Sequence, residues 1–156
     1  YQIIWATGRN QYDIVKENFE KVSISIKNIK DVKAVSYIYN MEELINIADL
    51  VICRSGAMTI TELAICGKPA IFVPLPSKSA NRQEDNARVL EKLGAAKIIL
   101  NHELTGEKLA GQIDEIICHE SKLEKMGKLA TKIAPSNVEE KIYDEILKVV
   151  KNKKSD

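Results

Sequence analysis

The sequence has 156 residues, 45% hydrophobic and 29% charged, with 23 Lys and Arg against 22 Asp and Glu for a formal net charge of +1. That balance excludes a disordered or fibrous chain, and the near-neutral total lacks the basic excess of a nucleic-acid-binding domain. The length suits one domain or one half of a larger enzyme, with enough apolar residues for a sizeable core.

The chain opens directly in the apolar run Tyr1-Gln2-Ile3-Ile4-Trp5-Ala6, with no initiator Met, and has the look of a cut end. It is not a charged start followed by an apolar signal core. From there, short apolar runs alternate with stretches of helical period. In chain order the pattern predicts a strand over 2–6, a helix over 11–20, a strand over 34–38, a helix over 41–48, a strand over 50–53, a helix over 58–66 and a strand over 70–73. A helix over 83–93, a strand over 97–100 and helices over 107–118, 121–133 and 138–150 follow. The runs Leu50-Val51-Ile52-Cys53 and Ala70-Ile71-Phe72-Val73 are apolar throughout rather than alternating, as strands covered on both faces require. The expected fold class is therefore α/β, a mostly parallel sheet with helices on both faces. Residues 1–150 form the domain and 151–156 a charged tail. Lys148, Lys151, Lys153 and Lys154 read as a solvated helix end, where lysines also suit the dipole.

Punctuation supports these boundaries: Gly67-Lys68-Pro69 closes one helix and opens a strand, and Gly94 sits where a C-terminal glycine belongs. The loop over 74–81 follows a strand's carboxyl end, the edge at which open α/β sheets bind ligands. Cys53, Cys66 and Cys118 are widely spaced without a C-x-x-C pair, so neither a zinc site nor a disulfide framework is expected, and a reducing, cytosolic setting fits best. No apolar run approaches the roughly 18 residues of a membrane span. His102 and His119 are isolated, no paired-carboxylate motif is present, and no D-x-D pair offers to hold a metal.

Chemistry concentrates in Arg54-Ser55-Gly56-Ala57-Met58-Thr59-Ile60-Thr61-Glu62, which reads as strand, tight turn and helix. Small residues at the turn let a ligand approach the backbone, and the free N–H groups of the first helical turn suit phosphate oxygens. A diphosphate would lie over Gly56, Ala57, Met58 and Thr59. Glu62, one turn deeper on the same face, makes more sense accepting hydrogen bonds from sugar hydroxyls than beside a phosphate. The competing reading, which spacing alone slightly favours, is a capping pair Thr59-x-x-Glu62. There is no G-x-G-x-x-G and no G-x-x-x-x-G-K-[ST]. A second polar cluster, Asn81-Arg82-Gln83-Glu84-Asp85-Asn86, starts the next helix. Asn81 suits its N-cap, and Gln83 and Asn86 could face one crevice, although a solvated helix start explains the composition equally well.

Together these stretches, with Gly67-Lys68-Pro69-Ala70-Ile71-Phe72-Val73-Pro74 and Gly94-Ala95-Ala96, resemble the C-terminal, donor-binding domain of the MurG family, from residue 1 to about residue 150. The resemblance implies a Rossmann-like half of a two-domain GT-B glycosyltransferase. Its donor is UDP-N-acetylglucosamine and its acceptor lipid I, converted to lipid II in peptidoglycan synthesis by an inverting transfer. It further implies that Ile38 meets the uracil through its backbone, that Ala57, Met58 and Thr59 face the diphosphate and sugar, that Glu62 holds the ribose hydroxyls and that Gln83 holds the N-acetylglucosamine hydroxyls. No cofactor and no protein metal site are implied; assistance by a divalent cation is left open. Related members often have His or Gln at Arg82. The family's Gly-Gly-Ser loop, the strand before it and the acceptor-binding N-terminal domain, with its candidate general base and membrane-facing patch, have no counterpart in this sequence. The family resemblance therefore implies an inactive chain, a sheet interrupted near its middle and, for the whole enzyme, a cytoplasmic place on the inner face of the plasma membrane. The alternatives are a stand-alone donor-binding subunit that needs a separate membrane-anchored acceptor subunit, and a nucleotide-sugar sensor or epimerase-like protein on the same fold.

Overall fold

The computed structural model describes residues 1–21, 30–76 and 82–152. The chain forms two compact units, Tyr1–Leu44 and Ile45–Asp156, and all five described strands pair in parallel.

The first unit holds β1 (Ile3–Ala6), α1 (Tyr12–Lys21), β2 (Val32–Val35) and the start of α2 (Met41–Ile47). β1 and β2 run in register from Ile3 opposite Val32 to Ala6 opposite Val35. The strand expected over 34–38 is thus displaced: β1 offers four partners, and the ladder uses them up at Val35. Ile38 falls beyond it, outside any ladder. All four residues of β1 are exposed, and the Trp5 ring meets Phe19 edge-on at 6.2 Å between centroids.

The second unit contains β3 (Val51–Cys53), α3 (Ala57–Ile65), β4 (Ala70–Phe72), α4 (Arg82–Leu93), β5 (Ala96–Ile98), α5 (Gly106–Ile117), α6 (Glu120–Ala130) and α7 (Val138–Asn152). Its sheet has the order β3-β4-β5, so β4 is central, and Ala70, Ile71 and Phe72 are all 0% exposed. Alternation along the strand sends Ala70 and Phe72 to one face, where they join Ile60 and Leu63 of α3, Ala87 and Leu90 of α4 and Ala130 of α6. Ile71 goes to the other face, with Ile99, Ile116 of α5 and Met126 of α6. Both faces of β4 are covered, as its unbroken apolar run required, whereas the same expectation fails for β3, an edge strand whose Ile52 is 43% exposed.

Two glycines fix how α6 lies on this sheet. Gly67 takes φ +60° after the last turn of α3, and a Cβ on Gly127 would stand 2.5 Å from the Gly67 carbonyl oxygen. Only a hydrogen fits at that approach.

The α/β class and the parallel strands agree with the sequence, and helix ends differ by a residue or two. The helix expected over 121–133 stops at Ala130 and tightens into a 3₁₀ turn, Thr131–Ile133. The described strands form two ladders, β1-β2 in the first unit and β3-β4-β5 in the second. Asn81, most of the loop over 74–81 and Lys153 and Lys154 lie outside the described residues. On α7 the apolar residues Ile142, Ile146 and Val149 are exposed.

Candidate functional site

β3 ends at Cys53 and α3 begins at Ala57, so Arg54, Ser55 and Gly56 make the turn between them. Gly56 is the N-cap of α3, with φ −64° and ψ 147°, and no side chain caps the helix. The first helical bond runs from the Ile60 N–H to the Gly56 carbonyl at 3.0 Å. The N–H groups of Gly56, Ala57, Met58 and Thr59 precede it and have no helical acceptor, so four donors and the positive end of the helix dipole face one place. Any residue can adopt the Gly56 backbone angles. A Cβ there would lie 4.0 Å from Thr59 Oγ1, so the missing side chain leaves the ground beside that hydroxyl clear.

This geometry removes one of the two readings of Thr59 and Glu62. A capping pair needs Thr59 at the N-cap, but Gly56 occupies that position and Thr59 is the third residue of α3. The capping reading is therefore overturned. Glu62 lies one turn deeper on the Thr59 face and is exposed. Met58 is 75% exposed at the rim of the same helix end.

A set of hydrogen bonds holds this turn against the neighbouring elements. Arg54 donates from Nη1 to the Val73 carbonyl at 2.9 Å, the Pro74 carbonyl at 3.1 Å and Asn101 Oδ1 at 2.9 Å. It thereby gathers the segments that follow β3, β4 and β5. Ser55 is the one fully buried polar residue among the described residues, and its Oγ donates to the Gln83 carbonyl at 2.7 Å. Asn86 Nδ2 donates to the Ser55 carbonyl at 3.4 Å, and the Leu75 N–H donates to Gln83 Oε1 at 3.0 Å. Gln83 and Asn86 therefore both reach the α3 turn or the segment after β4, rather than lying on a solvated helix face.

The second unit thus brings Gly56, Ala57, Met58, Thr59, Glu62 and Gln83 to the carboxyl edge of β3-β4-β5. Ile38 belongs to the first unit, in the segment between β2 and α2. It is partly buried beside Tyr37, whose ring lies 4.9 Å below the Arg9 guanidinium. Sequence reasoning missed the bracing roles of Arg54, Ser55 and Asn101. The only local signal was a polar pair directly after an apolar strand.

Burial pushes the Cys53 thiol up from 9.0 to about 12, which removes it as a nucleophile. Glu103 and Glu115 are held below the usual carboxylate range, first by hydrogen bonds from Lys108 and Lys122 respectively, and both are surface pairs. Among the described residues no three His, Cys, Asp or Glu side chains gather as metal ligands, and no helix is long and apolar enough to cross a membrane.

Comparison with known proteins bears on this edge. The profile of the glycosyltransferase family 28 C-terminal domain matches residues 1–154. The UDP-N-acetylglucosamine--N-acetylmuramyl-(pentapeptide) pyrophosphoryl-undecaprenol N-acetylglucosamine transferase of Ruminiclostridium cellulolyticum is 41% identical over 150 residues, covering 96% of this chain and 40% of its own length. The protein of the same name from Oenococcus oeni is 35% identical over 156 residues, all of this chain and 41% of its own. The crystal structure of Acinetobacter baumannii MurG superposes with a TM-score of 0.76 at 31% identity, over 94% of this chain and 40% of that one. The chain thus spans about 40% of the length of the relatives it matches.

Proposed function

The chain belongs to the glycosyltransferase family 28 C-terminal domain family, and from that premise we propose that it is the donor-binding part of a UDP-N-acetylglucosamine transferase of peptidoglycan synthesis. The observation that supports this reading best is the start of α3, where four N–H groups without helical acceptors stand over an uncapped glycine turn. A diphosphate accepts hydrogen bonds from Gly56, Ala57, Met58 and Thr59, and the Thr59 hydroxyl adds another. Glu62 accepts from the ribose hydroxyls. The Gln83 amide holds hydroxyls of the N-acetylglucosamine, and the uracil falls to the main chain at Ile38 on the family resemblance alone.

In the reaction the acceptor hydroxyl of the undecaprenyl-pyrophosphoryl muramyl-pentapeptide attacks the anomeric carbon as the bond to the diphosphate breaks. The α3 amides stabilise the charge that develops on the departing UDP. The base that takes the hydroxyl proton, the acceptor site and the surface that meets the inner face of the plasma membrane belong to the remainder of the enzyme. The isolated chain therefore binds donor without turning it over.

Calorimetric titration with UDP-N-acetylglucosamine, UDP-glucose and UDP tests the reading. Saturable binding that favours the first sugar nucleotide over UDP-glucose is expected. A folded chain that binds none of the three would overturn it, and release of UDP by the chain supplied with lipid acceptor would overturn the division of labour.

A further inference from the structure

The Ser55 hydroxyl sits between two helix starts. It belongs to the residue before the N-cap of α3, and it bonds the Gln83 carbonyl in the first turn of α4 at 2.7 Å while being 0% exposed. The return link, Asn86 Nδ2 to the Ser55 carbonyl at 3.4 Å, comes from the same turn of α4. Gln83 is thus fixed twice, at its root by Ser55 and at its tip by the Leu75 N–H on Oε1 at 3.0 Å. A backbone N–H meets only the oxygen of an amide, so Nε2 is the end of Gln83 left to donate. Of the three, the Ser55 bond has its donor fully buried, so water does not compete for that hydroxyl and the root of Gln83 is held in one geometry, whereas the Leu75 bond at the tip is exposed.

The geometry points to Ser55 as a positioning residue that sets the distance between the α3 amides and the Gln83 amide, and through it the choice of sugar. This rests on the donor-binding reading above, with the diphosphate at α3 and the sugar at Gln83. A group that distinguishes two sugars by the direction of one hydroxyl must be held to a fraction of an ångström, whereas four amides on one helix turn need no outside support to meet a diphosphate. Loss of the Ser55 hydroxyl should therefore loosen sugar selectivity and spare the nucleotide.

The test measures the affinities of the chain for UDP, UDP-N-acetylglucosamine and its 4-epimer UDP-N-acetylgalactosamine, in the wild type, Ser55→Ala, Gln83→Ala and the double variant. Ser55→Ala removes one oxygen atom, and a thermal melt checks that each variant is folded. The expected result is a UDP affinity within about threefold of wild type and a preference between the epimers that falls about tenfold. The same fall is expected in Gln83→Ala, with no further fall in the double variant, since two residues acting through one contact are not additive. Asn86→Ala, which cuts the return link from the other side, should reduce the preference in the same direction and serves if Ser55→Ala does not fold. Equal weakening of all three ligands, or additive effects of Ser55 and Gln83, would overturn the assignment. A wild type that binds UDP but does not distinguish the epimers overturns the sugar role of Gln83 and the positioning role with it. A wild type that fails to bind UDP removes the donor-binding reading itself.

Discussion

β1 and β4 have much the same kind of sequence, Ile3-Ile4-Trp5-Ala6 against Ala70-Ile71-Phe72, and both lie in parallel ladders. Yet β1 is exposed at all four positions and β4 is buried at all three. β4 has a strand on each side and helices over both faces, while among the described residues β1 pairs with β2 alone and meets Phe19 through Trp5. An apolar run therefore states that a strand needs cover, and only tertiary structure supplies it. By this contrast, the buried core and the uncapped start of α3 both belong to the second unit.

The contrast is sharpest at Phe72, whose truncation to Ala should cost about 3–5 kcal/mol, because a large buried side chain is lost from both the core and its packing. Chemical denaturation reads this directly, and a cost near zero would break the comparison. Next is Gly127→Ala, whose methyl would meet the Gly67 carbonyl at 2.5 Å; overpacking there should cost about 1–3 kcal/mol. Gly111→Ala on α5, with nothing within 4 Å of the added carbon, should instead be neutral or stabilising by up to about 1 kcal/mol.

Cys53 adds a pH signature to the second unit. Its folded thiol is raised to about 12 from 9.0 by burial. The fold thus keeps a proton that the unfolded chain gives up, and stability is full below pH 9 and falls as the pH rises toward 12. Cys53→Ala should flatten that part of the stability profile. At neutral pH a thiol reagent should label the exposed Cys118 well before Cys53. The smallest effect is expected at β1, where Ile4→Thr on a 46% exposed side chain should change stability by less than about 0.5 kcal/mol.

Much of the fold was legible because its signals are local. Apolar runs marked the five described strands, β2 with displaced bounds, and glycine after Ile65 and Cys66 marked the end of α3. The donors over Gly56 to Thr59 followed from the strand, turn and helix order alone. What depended on partners was not legible. The β2 ladder is set by β1, which moved it from 34–38 to Val32–Val35 and left Ile38 outside. Thr59 and Glu62 had the spacing of a capping pair, and only the helix start at Ala57 removed that reading. Arg54 finds its acceptors 19, 20 and 47 residues away, distances at which no sequence period operates.

The most direct test of the account is the affinity of Glu62→Ala for UDP and for 2′-deoxy-UDP, measured beside the wild type on folded protein. A carboxylate that accepts from ribose hydroxyls predicts that the variant loses about tenfold or more for UDP, the scale of a charged hydrogen bond, and clearly less for the deoxy ligand. Wild-type affinity for UDP in the Glu62→Ala variant would contradict the placement of the nucleotide along α3.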